Sequence, residues 1–461
     1  MARTGTGTAT ATTIDLRDGV VPSATTTATG TSAPDRRAPR PAPRRPALTR
    51  RQHAAAWGDA LLGGPLPGRL ARWDTPLLTY GVLQGAVLML VAIGLVMVLS
   101  SSSVEEIQAG SSPFAAVVSQ SMFAVLGLVA MLVAARLPPV FWRRVAPVVV
   151  VVAAGLESLV LTPLGVGVGG NTNWIRLAPG VQGQPSEFGK IALVLWCALV
   201  LASKHKVIHQ PLRWGLPLAL GVLPVIGFVL AGGDLGTTMV MLLVVAGTIF
   251  AAGVPLRHLG LLAVVGLVGV AVAASTGNRV ERINAFLTGN TDRQGTGYQA
   301  TSGLYALASG GLTGLGLGGS RQKWSWLPEA HNDFIFAILG EELGLVGTLV
   351  VLALFVVFGW CCARVVRRSK DLFAAVLVAG VMVWVLGQAA VNIAVVIGLA
   401  PVLGVPLPLI SAGGSALLCT LIGVGLVLSC ARHSPGAQAA LSARPGLVRR
   451  SLAVVSRGGR R

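Results

Sequence analysis

The chain has 461 residues, 53% of them hydrophobic and only 11% charged, with a mean hydropathy of +0.73. A water-soluble fold carries about 25% charged residues to cover its surface, so this composition excludes a soluble or secreted globular protein. The net charge of +19 reads, in a lipid setting, as the cytoplasmic-side excess of a membrane protein and not as a nucleic-acid footprint.

Residues 1–75 are built from Thr, Ala, Pro and Arg, with eleven arginines. Few large apolar side chains are present to offset ordering entropy, so this stretch is expected to be a disordered basic cytoplasmic tail that can rest on anionic lipid. A second basic tail is expected over 433–461. Between them, 76–432 read as one membrane domain. A span needs about 20 apolar residues. Ten candidates follow, at about 78–100, 114–135, 145–163, 187–203, 214–231, 235–252, 259–274, 334–359, 373–396 and 411–431. The first apolar run begins too late for a cleavable leader. The fold class is therefore an all-α polytopic membrane protein.

Orientation follows from Lys and Arg in the short loops. Arg136, Arg143 and Arg144 follow the second span. Lys204, Lys206 and Arg213 follow the fourth, Arg257 the sixth, and Arg364, Arg367, Arg368 and Lys370 the eighth. The loops after the first, fifth and ninth spans carry none. Arg176 and Arg279 break the pattern, but in long loops, which obey the rule less. Even-numbered loops and both termini are thus expected in the cytoplasm, and odd-numbered loops outside.

Two outside loops are long, at about 165–186 and 275–333, the second lying before the eighth span. Long loops of this kind are often functional. An apolar stretch from Leu304 to Leu312 is expected to form a short helix at the interface.

The charges near span ends are informative, because charge in hydrocarbon is costly. Glu187 and Lys190 are three apart at the start of the fourth span, on one helix face and able to pair. Asp234 stands in the tight turn before the sixth span. Gln388 and Asn392, four apart in the ninth, suit interhelical hydrogen bonds. Glu157, within the third, has no evident partner. Asp333 immediately precedes the eighth span, with Glu341 and Glu342 about two turns deeper. Two readings of Asp333 stand side by side: a helix cap, or a general base within reach of a reacting hydroxyl. The five cysteines lie in or beside apolar runs without CxxC spacing, which argues against disulfides and zinc. The glycine run Gly314-Leu315-Gly316-Leu317-Gly318-Gly319 does not follow a strand in a βαβ unit, so it is not read as a nucleotide loop. No Walker A motif is present.

Ordered motifs run across about 75–435. They are Gly170-Asn171-Thr172-Asn173-Trp174-Ile175, Gln184-Pro185-Ser186-Glu187-Phe188-Gly189-Lys190, Asp234-Leu235-Gly236-Thr237, Ala252-Gly253-Val254-Pro255 and Gly297-Tyr298-Gln299. Leu327 through Phe334, Gly340-Glu341-Glu342-Leu343-Gly344, Pro406 through Ser411 and Gly413-Gly414-Ser415 complete the set. Together they resemble the SEDS family of cell-wall proteins (FtsW, RodA, SpoVE). The Asn-Trp-Ile stretch, Ser320-Arg321-Gln322-Lys323-Trp324 and the basic tail look most like the actinobacterial division members. The resemblance implies a ten-helix fold and a peptidoglycan glycosyltransferase. Such an enzyme polymerises lipid II at the outer face of the cell membrane, at the division septum. It implies a class B penicillin-binding protein and other divisome proteins as partners. It makes Asp333 the base, and makes Glu187 and Lys190 functionally important.

Asp234, Arg321, Lys323, His331, Ser186 and Trp174 join Glu187 and Lys190 as the expected substrate-binding set, with Arg282 a further candidate cation. A divalent cation, Mg or Mn, bridging Asp234 or Glu187 is an expectation of the resemblance. Three departures from the family pattern stand out. Asn332 replaces a Thr, Gly233 replaces a Pro and is expected to loosen the turn, and Ala412 stands where a Tyr is usual. A lipid II flippase, a catalytically idle scaffold and a sporulation or elongation paralogue are the rival readings.

Overall fold

The computed structural model describes residues 76–168, 171–178, 181–274, 297–324 and 326–434, together with Phe286 and Ala437. The tail expected over 1–75, most of that over 433–461, and Arg279 and Arg282 in the long loop lie outside the described residues. The helices are α1 (Pro76–Gln108), α2 (Ala115–Arg136), α3 (Pro139–Ser158), α4 (Pro185–Ser203), α5 (Pro211–Ala231), α6 (Leu235–Ala251), α7 (Leu256–Ala274), α8 (Tyr298–Gly310), α9 (Ile335–Arg368), α10 (Leu372–Val396) and α11 (Gly414–Arg432).

Every expected span falls on one of these helices, and α8 covers most of the expected interfacial stretch. Among the described residues, eight helices are long and apolar enough to cross a membrane, which makes the chain a multi-pass membrane protein. The expected sixth and seventh spans fall on α6 and α7 instead. At 17 residues, α6 is about 25 Å long, shorter than the roughly 30 Å hydrocarbon core.

Burial separates centre from rim. The apolar windows of α4, α10 and α11 are each 72% buried, against 22% for α2 and 28% for α3. Helix α10 packs on α4, α6 and α9, and α11 packs on α2. Val118, Met122 and Val125 of α2 and Leu216, Leu220 and Leu223 of α5 are exposed, a face that suits lipid and not water.

The two ends of the bundle differ in chemistry. At one end, Thr79 of α1, Val365 and Arg368 of α9, Ala431 of α11 and Ser434 line a small pocket, and Ser429 Oγ donates to the Leu137 carbonyl after α2. Loops at this end carry the basic residues of the even-numbered connections. At the other end the starts of α4, α6 and α9 meet the connection between α10 and α11.

The long outside loop before α4 folds into a three-stranded antiparallel sheet: β1 (Gly165–Val168), β2 (Asn171–Ala178) and β3 (Val181–Gly183). It is tied down where the Thr172 N–H donates to the Gly232 carbonyl at the end of α5. That turn is closed, not loosened, by Gly233. Its φ of +89° is a left-handed helix ending that proline cannot adopt. The N–H groups of Gly233 and Asp234 donate to the Leu230 and Val229 carbonyls.

Helix α9 breaks at Gly344 (φ 66°, ψ −164°). The chain around the glycine run fills the gap. Leu345 and Val346 N–H donate to the Gly311 and Leu312 carbonyls, while Leu315 and Gly316 N–H donate to the Glu341 and Glu342 carbonyls. Backbone groups freed by the break are thus paired, as membrane depth requires. This gives Gly314 through Gly319 a structural task.

Candidate active site

Asp333 lies in the turn immediately before α9 and is partly exposed. The position that opens the helix is Phe334, which makes no side-chain cap bond, so the capping reading does not describe this helix start. The turn is gripped through three consecutive carbonyls. His331 O accepts from the Ala412 N–H at 3.0 Å, Asn332 O from Ser411 Oγ at 2.7 Å, and Asp333 O from Asn392 Nδ2 at 2.7 Å. On the other flank, Asn332 and Phe334 N–H both donate to the Glu329 carbonyl. Glu329 has φ 55°, a conformation that costs a non-glycine residue of order 1 kcal/mol and persists only where its surroundings impose it. The Asp333 carboxylate lies over Gly404, 3.6 Å from where a side chain there would begin.

Glu187 and Lys190 do pair, as the spacing implied. Lys190 Nζ is 2.8 Å from Glu187 Oε1 and 2.8 Å from Gln388 Oε1, and lies 5.3 Å from the Trp384 ring centroid. Both residues are buried. Glu187 Oε2 and the neighbouring Ser186 Oγ have no hydrogen-bond partner among the described residues.

Asp234 is a helix cap and a clamp for the sheet. Oδ1 accepts from the Thr237 N–H. Oδ2 accepts from Thr237 Oγ1, Asn173 Nδ2 and Gln184 Nε2 at 2.8, 2.9 and 3.1 Å. The strand that supplies Asn173 also carries Trp174, half-buried and paired with Val166.

Glu341 and Glu342 organise the loop that carries the expected cations. Glu341 accepts from Ser309 Oγ, Ser320 Oγ and the Arg321 N–H. Glu342 accepts from Ser100 Oγ at 2.7 Å and pairs with Lys323 at 3.3 Å. Lys323 also donates to the Gly318 carbonyl. Lys323 is therefore buried and neutralised, whereas Arg321, held only by its backbone in this network, is exposed. His331 meets Glu105 of α1, with Nδ1 2.8 Å from Oε2. Burial works against a charged imidazole, but the Glu105 hydrogen bond and charge outweigh it and hold His331 above its ordinary value.

A helical membrane bundle with an aspartate turn at one polar end is now in view, and known proteins can be set beside it. Residues 82–435 match the family model for the FtsW, RodA and SpoVE proteins, described as cell cycle protein. The chain belongs to this family. It is 39% identical over 378 residues to a probable peptidoglycan glycosyltransferase FtsW of Mycobacterium tuberculosis, covering 81% of this chain and 72% of that one. It is 38% identical to the stage V sporulation protein E of Bacillus subtilis, covering 75% and 95%. A solved structure described as coordinating polymerization and crosslinking in a peptidoglycan synthase complex superposes with a TM-score of 0.63 at 30% identity, covering 77% of this chain and 97% of that chain. The rod shape determining protein RodA of Thermus thermophilus gives 0.55 at 28% identity, with 77% and 96% covered.

Set against the expected family site, the residues divide. Asp333 and His331 share one turn, and Glu187, Lys190 and Ser186 share one buried helix start. Lys323 and Asp234 are committed to structural partners. Of the two carboxylates named for a divalent cation, Asp234 has both oxygens engaged by donors, whereas Glu187 meets the Lys190 ammonium through Oε1 and has no partner on Oε2 among the described residues. Among the described residues no group of three or more His, Cys, Asp or Glu could hold a metal ion. Sequence reasoning gave no role to Glu105, Gln184 or Ser411, polar residues whose partners lie far along the chain.

Proposed function

We propose that this chain is a peptidoglycan glycosyltransferase that polymerises lipid II into β-1,4 glycan strands at the outer face of the cytoplasmic membrane, in septal wall synthesis. The observation that carries the reading is Asp333. It is a carboxylate on a backbone turn fixed from three sides, at the polar end of the bundle away from the basic loops. Inside-positive loops put that end outside the cell.

In this reading Asp333 takes the proton from the 4-hydroxyl of the acceptor GlcNAc as that oxygen attacks the anomeric carbon of the donor MurNAc. The bond to the lipid diphosphate breaks on the opposite face, and inversion yields the β link. Negative charge grows on the leaving diphosphate, and a fixed cation lowers that cost. Among the named cations, exposed Arg321 suits the task best, since Lys190 and Lys323 already face carboxylates. A class B penicillin-binding protein is the proposed cross-linking partner. The family relation to a synthase complex supports it.

The test is polymerisation of purified lipid II by the protein in detergent, with its transpeptidase partner inactivated. Wild type should give glycan strands on a length-resolving gel. Asp333→Asn should fold, keep the backbone contacts of the turn and give none. Normal strands from Asp333→Asn would sink the assignment of the base. No strands from wild type, with a known polymerase active in the same mixture, would favour a flippase.

A further inference from the structure

Two amides on α10 join the buried Glu187–Lys190 pair to the Asp333 turn. Gln388 Oε1 accepts from Lys190 at 2.8 Å and from Trp384 Nε1 at 3.0 Å. Its Nε2 donates to the Pro406 carbonyl at 2.9 Å. One helical turn further, Asn392 Nδ2 donates to two carbonyls at once, Val405 O and Asp333 O, both at 2.7 Å. Adjacent carbonyls of the α10–α11 connection are therefore held by adjacent turns of one helix face. The same connection returns to the catalytic turn through Ser411, whose Oγ accepts from the Leu407 N–H at 2.7 Å while donating to Asn332 O. It also supplies Gly404, beside the Asp333 carboxylate. Gln388 and Asn392 are both almost fully buried.

From this, and resting on the glycosyltransferase reading, we infer that Asn392 is a positioning residue for Asp333, and that Glu187–Lys190 acts on Asp333 through Gln388 and this connection, not by touching substrate. The Asn392 amide supplies the two donors that tie the Asp333 carbonyl to the α10–α11 connection. A carboxylate in its place offers two charged acceptors to two carbonyls and pushes the turn away. Lys190 fixes the orientation of the Gln388 amide. With Lys190 and Trp384 both donating to its oxygen, the amide nitrogen must face Pro406. A shift of about 1 Å in a general base costs on the order of 100-fold in rate with little effect on binding.

The experiment is steady-state lipid II polymerisation by the full-length wild type, Asn392→Asp, Gln388→Met, Lys190→Met and the Lys190→Met/Asn392→Asp pair, each checked for folding by size exclusion and thermal unfolding. The expected result is a kcat lowered roughly 10- to 100-fold by Asn392→Asp, with KM within about twofold. Lys190→Met should show the same pattern, and the double variant should be little worse than the poorer single one, because both changes break one relay. Gln388→Met, which keeps the volume and removes all three side-chain hydrogen bonds, should reproduce the loss. It carries the test if Asn392→Asp fails to fold. An active Asn392→Asp with unchanged kcat would overturn the positioning role. A Lys190→Met variant with raised KM, multiplying the Asn392 defect, would overturn the relay and make Lys190 a substrate ligand. Neither outcome touches the glycosyltransferase reading, which falls only if the wild type is inactive.

Discussion

The Lys323 ammonium stands 3.3 Å from Glu342 Oε1, with both side chains buried, in a place where the sequence suggested a cation open to substrate. Removing one member leaves a buried charge without its counter-charge, which typically costs about 3–5 kcal/mol, whereas removing both together often costs little. Lys323→Met should therefore lower the thermal unfolding midpoint in detergent sharply, and Lys323→Met/Glu342→Gln should recover much of it. Arg321→Met should leave the midpoint unchanged while reducing polymerisation. Equal loss of stability in all three would argue against this division of labour.

Gly344 is the position where α9 interrupts itself. Its φ and ψ of 66° and −164° lie in a region open essentially to glycine. A Cβ there would stand 2.4 Å from the Gly314 nitrogen and 2.5 Å from the Leu312 oxygen. Gly344→Ala must displace the loop backbone or the helix, at a cost above the roughly 1–3 kcal/mol of the conformation alone. Gly85→Ala is the control. It sits in α1 with nothing within 4 Å of a new Cβ and gains helix propensity of up to about 1 kcal/mol. The first variant should unfold earlier or fail to accumulate, and the second should match or exceed wild type.

The His331–Glu105 pair predicts a pH dependence with a definite sign. The folded-state value of His331 lies above its ordinary 6.5. The pair's stabilisation is therefore complete below 6.5 and is lost as pH rises through the raised value. Glu105 is the first cause of the upward pull, with Glu329 and Asp333 adding to it. Because the Glu105 side chain is 45% exposed, the contribution is modest and screened by salt. His331→Gln should remove this slope from a plot of unfolding midpoint against pH. An unchanged slope would show that the pair does not hold α1 against the turn.

How much of this was legible in the sequence depends on the range over which each interaction acts. The eight helices long and apolar enough to cross a membrane were readable because each is a local run of apolar side chains. The Glu187–Lys190 pair was readable because three residues of helix bring them together. Gln388 was correctly read as an interhelical hydrogen-bonding group, though not its partner Lys190, 198 positions away; Asn392 instead bonds the Asp333 and Val405 carbonyls, which lie outside the helices. The three strands between Gly165 and Gly183 were missed because their glycines hide any alternation, and what secures them are bonds from β2 to Gly232 and Asp234, far away in sequence. The α9 break was hidden for a similar reason. Gly344 inside an apolar helix reads as tolerated, and only the inserted backbone at Gly311 and Leu312 shows why the helix stops there.

Asp234 gives the clearest separation of a structural from a substrate role. Four donors converge on its two oxygens, so the carboxylate caps α6 and pins β2 and the start of α4 together. Loss of a cap alone costs about 1 kcal/mol, and each donor left unsatisfied by Asp234→Ala adds about 1–3 kcal/mol where it is buried. Asp234→Asn keeps the size and one acceptor oxygen, but it turns a donor toward groups that also donate. The expected order of unfolding midpoints is wild type, then Asn, then Ala. Any fall in polymerisation should track the folded fraction, and KM for lipid II should stay constant in the folded protein. A raised KM in a fully folded Asp234→Asn variant would instead make this carboxylate a substrate ligand.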